Sequence, residues 1–471
     1  MKEFEKVVSS PFFNRGRNHM PLLKQLKKFH PKFDDEKMTP EYIYSKMHTG
    51  KKFNKQIIWN ATSSLLMMAE EFLIYRSVEK NEYKRNLHLS SELFERKLAN
   101  LYSKKLDEIE KVLDKTGIDG NFFQYKTELE TGRLYLCFLE DEQHRIPRHI
   151  VKRGEFAILD FLRQLSAIIN DMDSNIVMFN AVFTTNLPYE FINNLKLDKI
   201  MEYARANKFR YTFAMEMYYY SIMVIIDPDE TLHFLRLKEL YEDNSHKFSA
   251  EERRGWLVTL ANYCVQKSDQ GKDPFRSILF EINKLQLKEI ETSPKTELGK
   301  ILYTQILVKA LSLNETEWVK KYIEKYTPFL KTSYQKTMRA FANAFLAFKL
   351  KKYDEVLENL SRVKFIDVRD KYHAKSLSLR SHYELGDIPT LHYNVESAKQ
   401  FVSKNTSLGK VTRKRFSHFL DSLKKLLVIM ERPDLKNIDK LRKEVESDHE
   451  MVNGLWLLEK IAELKTKKGA F

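Results

Sequence analysis

Residues 339–363, RAFANAFLAFKLKKYDEVLENLSRV, decide the fold of this chain. Two amphipathic stretches flank a polar turn at residues 351–354, and small residues recur in the first stretch at Ala340, Ala344 and Ala347. A hairpin of two short helices cannot bury its apolar face alone, so such hairpins stack and share one core. The stretch therefore predicts one helix–turn–helix unit of a series.

Two further turns of the same kind lie on either side of this one. They fall at residues 314–315 and 386–389, so that the three turns are 37 and 35 residues apart. A period of this size is typical of helical repeat arrays. The turn spacing thus predicts three consecutive hairpins in the last third of the chain.

Residues 297–405 resemble the tetratricopeptide-repeat family, whose period is about 34 residues. The resemblance rests on Ala344 at the small position of the first helix, Tyr353 at the turn aromatic and Ala398 at the late small position. The chain lacks the closing proline of the family, and larger residues stand where a small one normally opens the second helix: Val319, Val356 and Leu391. The resemblance implies a solenoid of stacked hairpins that grips a peptide on its concave face.

Composition supports a helical fold for the whole chain. Only 13 glycines and 12 prolines occur in 471 residues, and residues 61–116 contain neither. A β-rich protein of this length would need many more turn residues. We therefore predict an all-α fold, a right-handed α-solenoid of helical hairpins that is tetratricopeptide-like in its C-terminal part.

The chain divides into three predicted regions. Residues 1–116 form a basic N-terminal helical region, with a helix-turn-helix-like hairpin at 40–75; residues 117–296 form irregular helical hairpins; residues 297–471 form the repeats and C-terminal capping helices. Within the first region, one long charged helix is predicted from about 80 to 113.

The middle region contains an acidic stretch, Asp171-Met172-Asp173-Ser174-Asn175, that imitates the start of a calcium loop. The glycine and glutamate positions of such a loop hold Ile176 and Val182. We therefore interpret the stretch as a helix-capping turn between helices at about 154–170 and 174–184.

Positive charge is concentrated at the two ends of the chain. Residues 1–60 hold 13 basic and 6 acidic residues, and residues 401–471 hold 16 and 10, so most of the net charge of +15 lies there. Basic ends can contact nucleic acid or an acidic partner. The alternative is that lysine-rich solvated helix faces carry this charge without a partner.

The N-terminal hairpin at 40–75 carries one specific nucleic-acid hypothesis. Lys51, Lys52 and Lys55 follow Gly50 at the start of its long helix, as in a DNA-reading helix. The first hairpin of an α-solenoid would have the same pattern, and base-reading side chains are sparse there.

Catalytic signatures are missing from the sequence. It contains no G-x-x-x-x-G-K-[ST], H-E-x-x-H, C-x-x-C or G-x-S-x-G motif. The acidic and histidine residues between Glu140 and His149 alternate with arginines and lysines, which indicates a solvated, salt-bridged turn rather than a metal site. We expect a protein without enzymatic activity, cofactor or metal.

Two further features concern the compartment. Cys137 and Cys264 lie in apolar helical stretches, which is typical of buried free thiols in a reducing environment. The most apolar stretch, residues 213–226, is too short to span a bilayer. We expect a cytoplasmic protein without membrane segments.

An aromatic stripe is the candidate partner-binding site. Phe341, Phe345 and Phe348 recur at i, i+4 and i+7, and the resemblance places Arg380 and Tyr383 on the same concave face one repeat later. The alternative is that the stripe packs against an adjacent helical layer. The expected function is a non-enzymatic scaffold or adaptor that binds a protein or peptide; the alternative is a nucleic-acid-associated regulator that uses the basic N-terminal hairpin.

Overall fold

The computed structural model describes residues 1–179, 181–269, 274–293, 296–364, 367–405, 407–432, 434–448 and 451–469. Within these ranges the chain forms helices and no strand, apart from a single backbone bridge between Ile118 and Phe248. The all-α prediction is therefore confirmed. None of the helices in the described ranges is long and apolar enough to cross a lipid bilayer.

The described residues pack into two compact units. The first comprises residues 1–117 and 122–157, and the second comprises residues 118–121 and 158–471. The three regions predicted from the sequence stay predictions, because compactness does not mark where one kind of hairpin gives way to another.

The first unit contains eight helices and the beginning of a ninth, which continues into the second unit. They are α1 (Lys2–Ser9), α2 (Pro11–Asn14), α3 (Met20–Lys27), α4 (Pro40–Met47), α5 (Lys55–Lys80), α6 (Glu82–Glu95), α7 (Ala99–Lys115), α8 (Phe122–Leu139) and α9 (Ile146–Phe179). The predicted start of α4 is confirmed, since the Thr39 hydroxyl accepts a hydrogen bond from the Tyr42 amide at 3.2 Å.

The second unit contains the remaining helices. They are α10 (Leu187–Asn194), α11 (Leu197–Ala206), α12 (Thr212–Ile226), α13 (Thr231–Asn244), α14 (Ala250–Asp269), α15 (Pro274–Glu291), α16 (Lys300–Ser312), α17 (Thr316–Tyr326), α18 (Thr332–Lys349), α19 (Tyr353–Ser361), α20 (Val368–Leu385), α21 (Ile388–Lys404), α22 (Lys410–Glu431), α23 (Leu435–Ser447) and α24 (Gly454–Gly469).

The three predicted hairpin turns share one backbone geometry. Asn314, Lys351 and Gly386 each adopt a left-handed conformation, with φ of 64°, 59° and 71°. In each turn the amide of the next residue donates to the carbonyl five residues earlier, as from Lys352 to Ala347 at 2.9 Å. This is the pattern of a Schellman cap, which satisfies carbonyls at the end of the first helix. The three turns at 314, 351 and 386 are therefore confirmed.

Small residues allow the helices of the central hairpin to approach closely. Ala344 and Ala347 of α18 form a buried cluster with Val356 of α19 and Leu377 of α20. The first helices of the three hairpins, α16, α18 and α20, also pack against one another in succession. Ala344 is thus in the buried, small-residue environment that the sequence predicts.

Two predicted helix boundaries are wrong. The single helix expected from about 80 to 113 is divided into α6 and α7, because Lys97 takes a left-handed φ of 57° and ends the first helix. Conversely, the predicted capping turn at residues 171–175 lies inside the continuous helix α9. There the side-chain amide of Asn262 in α14 donates to the carboxylate of Asp173 at 3.1 Å and to the hydroxyl of Ser174 at 3.3 Å. These polar side chains therefore have tertiary partners.

Candidate functional site

The aromatic stripe of α18 is only partly accessible. Phe341 is 1 % exposed and belongs to the buried core around α16 and α17. The expectation that it lines an open groove is therefore wrong, and for this ring the alternative of packing against an adjacent layer holds. Phe345 and Phe348 are half-buried and pack over the small-residue cluster at Ala344.

Arg380 lies directly over the second of these half-buried rings. Its guanidinium carbon is 4.4 Å from the centroid of the Phe348 ring, and its Nε donates to the carbonyl oxygen of Ser376 at 3.2 Å. Burial lowers the pKa of Arg380 to about 10. Within the described part of the chain, Arg380 makes no ion pair with a carboxylate. The structure thus brings two of the predicted site residues, Phe348 and Arg380, together around a positive charge that is largely but not fully withdrawn from solvent.

His373 lies beside Phe345 and Phe341 and is a site residue that the sequence pattern did not predict. Its ring centroid is 6.1 Å from that of Phe345 and 6.5 Å from that of Phe341. Burial, with a contribution from Arg380, lowers the pKa of His373 to about 4, so the ring is neutral at physiological pH. Its position seven residues before Arg380, on the same face of α20, is the sequence signal that could have identified it. We call Phe341, Phe345, Phe348, His373 and Arg380 the aromatic–arginine cluster.

The fifth predicted site residue, Tyr383, points to another part of the second unit. Its ring packs edge-on against Trp456 of α24, with centroids 5.2 Å apart. Trp456 in turn donates from Nε1 to Glu384 at 2.7 Å, and Glu384 pairs with the buried Lys460 at 3.0 Å. Tyr383 therefore helps attach the last helix to α20, and within the described part of the chain its ring does not contact the rings of the aromatic–arginine cluster.

The lysines of the N-terminal hairpin are all at the surface. Lys51, Lys52 and Lys55 are exposed at the start of α5, where Asn54 caps the helix through its side-chain oxygen. Among the described residues, none of the three lysines forms an ion pair. Their positive charge is thus available to an external partner, as the nucleic-acid hypothesis requires, although no contact identifies that partner.

The acidic and histidine cluster near α8 is more buried than expected. Arg145 forms a salt bridge with Glu142, as a salt-bridged turn requires. His149, however, is buried, and its Nδ1 lies 2.6 Å from the buried carboxylate of Glu130. The prediction of a solvated turn is therefore wrong for His149, because α9 folds this ring back against α8.

A cavity of about 110 Å³ in the first unit adjoins this pair. Its lining includes polar and ionisable side chains, among them Ser103, Asp107, Arg133, Cys137 and His149. Cys137 and Cys264 are both buried free thiols, as predicted. Burial raises the pKa of Cys137, which is opposite to the shift of a nucleophilic cysteine.

No group of three or more histidine, cysteine, aspartate or glutamate side chains in the described ranges is placed to hold a metal ion. Comparison of the chain with protein-family models, with curated proteins and with solved structures finds no match.

Proposed function

We propose that this protein is a non-enzymatic scaffold or adaptor that binds a peptide segment of a protein partner on the aromatic–arginine cluster. The observation that carries the proposal is the position of Arg380 over the Phe348 ring without a carboxylate partner. A desolvated guanidinium gains most from a charged acceptor, and its planar fork matches a carboxylate.

The surroundings of Arg380 indicate which peptide would fit. Phe345 and Phe348 offer half-buried aromatic rings, and the neutral ring of His373 extends this apolar surface. A peptide that places an acidic side chain on Arg380 and apolar side chains beside it would satisfy both features. The ligand class is therefore an acidic–hydrophobic peptide.

The proposed architecture is consistent with this role. The equivalent turns at Asn314, Lys351 and Gly386, and the succession of α16, α18 and α20, support a tetratricopeptide-like, right-handed solenoid. In such a solenoid the first helices of successive hairpins line the concave face. Phe345 and Arg380 belong to two such first helices, so a peptide on that face would contact both.

Selection from a random peptide library on the intact protein tests the proposal. Enriched peptides should carry an aspartate or glutamate flanked by apolar residues. Arg380→Gln should weaken their binding by about tenfold or more, a loss of one charge-assisted contact. Lys371→Gln removes an exposed positive charge from the same helix and should leave binding unchanged. Peptides that bind the Arg380 variant as tightly as the parent would contradict the proposed site.

The exposed, unpaired lysines of the N-terminal hairpin favour a second candidate function. In that case the protein is a nucleic-acid-associated regulator, and Lys51, Lys52 and Lys55 contact phosphates. Replacing all three by glutamine should lower the slope of log affinity against log salt by up to about three, through lost counterion release. A variant that replaces the exposed Lys84, Lys104 and Lys111 removes the same charge from elsewhere in the first unit. Equal effects of the two variants, or no salt-sensitive binding at all, would exclude this candidate.

A further inference from the structure

The outer face of α5 carries large exposed apolar side chains at three successive places, with the polar Ser63 and Glu70 between them. Trp59, Leu66, Met67, Leu73 and Ile74 are between 56 % and 66 % exposed. Trp59, Leu66 and Leu73 are seven residues apart, and so are Met67 and Ile74. This spacing places the five side chains along one side of the helix. Clusters of large exposed apolar residues on this scale mark interaction surfaces. We call these five residues the α5 stripe.

The opposite face of the same helix already has its partners. Ile58, Leu65 and Met68 are buried in the core that α5 shares with α1, α3 and α4. The α5 stripe is therefore not needed to hold α5 in the first unit. A helix that is apolar on two opposite faces is expected to be covered on both.

We propose that the α5 stripe binds a second copy of this chain, with the two α5 helices antiparallel. Four of the five residues pair with one another about a midpoint between Leu66 and Met67, and Leu73 lies opposite Asn60 of the partner subunit. An antiparallel pair centred there sets Trp59 against Ile74 of the partner subunit and Leu66 against Met67 of the partner subunit. Such an isologous contact closes as a two-fold dimer.

Polar side chains on the same face match under the same symmetry. Ser63 and Glu70 are equidistant from the midpoint, so each serine would face Glu70 of the partner subunit and donate a hydrogen bond to it. The exposed carboxylate of Glu70 within the stripe disfavours insertion into a lipid surface, which would leave that charge without a partner.

The helix dipoles favour the antiparallel arrangement, because the N-terminal end of one α5 then lies beside the C-terminal end of α5 in the partner subunit. The side-chain charges do not distinguish the two orientations, since the exposed Glu79 at the C-terminal end is followed by the exposed Lys80.

The area of the stripe is sufficient for a modest dimer interface. An aromatic side chain such as Trp59 buries about 150–250 Å² when fully covered, and the four aliphatic side chains bury less. The five, each more than half exposed, contribute on the order of 500 Å² per copy. The polar residues that flank the stripe bring this toward the roughly 800 Å² per partner of a stable complex.

Sedimentation of the intact chain over a range of concentrations tests the proposal. We expect a monomer–dimer equilibrium, and Leu66→Glu should weaken it by about a hundredfold because both copies carry the charge near the two-fold axis. Leu89→Glu changes the same residue type at an exposed position of α6 and should leave the equilibrium unchanged. Circular dichroism must show that both variants keep their helices, as expected for exposed positions.

Two mixing experiments test the pairing itself. Leu66→Glu and Leu66→Lys chains should be monomeric separately and dimeric when mixed. Single variants Trp59→Cys and Ile74→Cys should form an intermolecular disulfide with each other and not with themselves, since the native Cys137 and Cys264 are buried. A monomer at all concentrations, a dimer insensitive to Leu66→Glu, or Trp59→Cys crosslinking to itself would overturn the proposal. Binding of the monomer to anionic vesicles through this stripe would also overturn it.

Discussion

The carboxylate of Glu252 lies 3.7 Å from the guanidinium of Arg163, and both side chains are largely withdrawn from solvent, at 14 % and 17 % exposure. Burial raises the pKa of Glu252 from its ordinary 4.5 to about 7; Glu251 and Asp119 add to this rise and Arg163 opposes it. Although the Arg163 cation lies nearby, desolvation has the larger effect on the pKa of Glu252. The second unit therefore contains a carboxyl group that titrates near neutral pH.

This shift predicts how stability depends on pH. Because the pKa is higher in the folded state, protonated Glu252 favours folding below pH 4.5, and this contribution is lost as the pH rises to about 7. Glu252→Gln, which cannot ionise, should therefore stabilise the protein more at pH 8 than at pH 5, by up to about 3 kcal/mol. Denaturant unfolding at the two pH values measures the difference.

Glu202 provides the control for this experiment. It is exposed on α11, so Glu202→Gln should have a similar, small effect at both pH values. If Glu252→Gln also changed stability equally at pH 5 and pH 8, the carboxyl group would have an ordinary pKa and desolvation could not be the dominant effect.

The shared turn geometry leads to a prediction at Gly386. With φ at 71°, an alanine there would be held in the left-handed region, so Gly386→Ala should lower the free energy of unfolding by about 1–2 kcal/mol. Gly255 lies inside α14 with no atom within 4 Å of an added Cβ. Gly255→Ala should instead raise stability by about 0.5–1 kcal/mol. Thermal melting compares the stabilities of the two variants. If both substitutions changed stability in the same direction, the left-handed turn at Gly386 would be contradicted.

These turns show how far the sequence predicts the fold. The helix break at Lys351 is predictable because a polar turn separates two stretches of periodic apolar residues. The break at Lys97 is not, because Lys97 lies in a continuous charged stretch. Lysine has no preference for a left-handed conformation, so neither residue signals it. In α9, residues typical of helix caps occur at Asp173 and Ser174, but their contacts with Asn262 are compatible with a helix that continues through them.

The candidate site was less predictable than the fold. Periodicity placed Phe341, Phe345 and Phe348 on one face of a helix, which the structure retains. It could not separate the buried Phe341 from the half-buried Phe345, because exposure depends on which helix lies opposite. His373 was overlooked since a single histidine has no motif, and its environment exists only after α20 packs on α18.

Ala344 provides a test of the packing between hairpins. It is fully buried in contact with the cluster formed by α18, α19 and α20. Ala344→Leu should force these helices apart and lower the free energy of unfolding by about 1–3 kcal/mol through overpacking. Ala206→Leu, at an exposed position that ends α11, should change stability by less than about 0.5 kcal/mol. An unchanged melting curve for Ala344→Leu would mean that the small-residue contact is not close.

Phe345→Ser should separate binding from stability at the aromatic–arginine cluster. The ring is half-buried, with centroids 5.1 Å from Phe341 and 6.1 Å from His373, so its loss should cost less than that of a core ring. We expect about 1–2 kcal/mol of destabilisation, against about 3–5 kcal/mol for Phe341→Ser, which removes a fully buried side chain.

The binding measurement must therefore be made where the variant is still folded. Below its melting transition, Phe345→Ser should lose most affinity for an acidic–hydrophobic peptide, because the peptide's apolar side chains would lose a ring that Phe341 cannot replace from the core. Arg380→Gln should weaken the binding of the same peptide, because the peptide's acidic residue would lose its charged partner. The melting temperature should change little. A folded Phe345→Ser protein that binds the peptide as well as the parent would contradict the proposal that one peptide covers both Phe345 and Arg380.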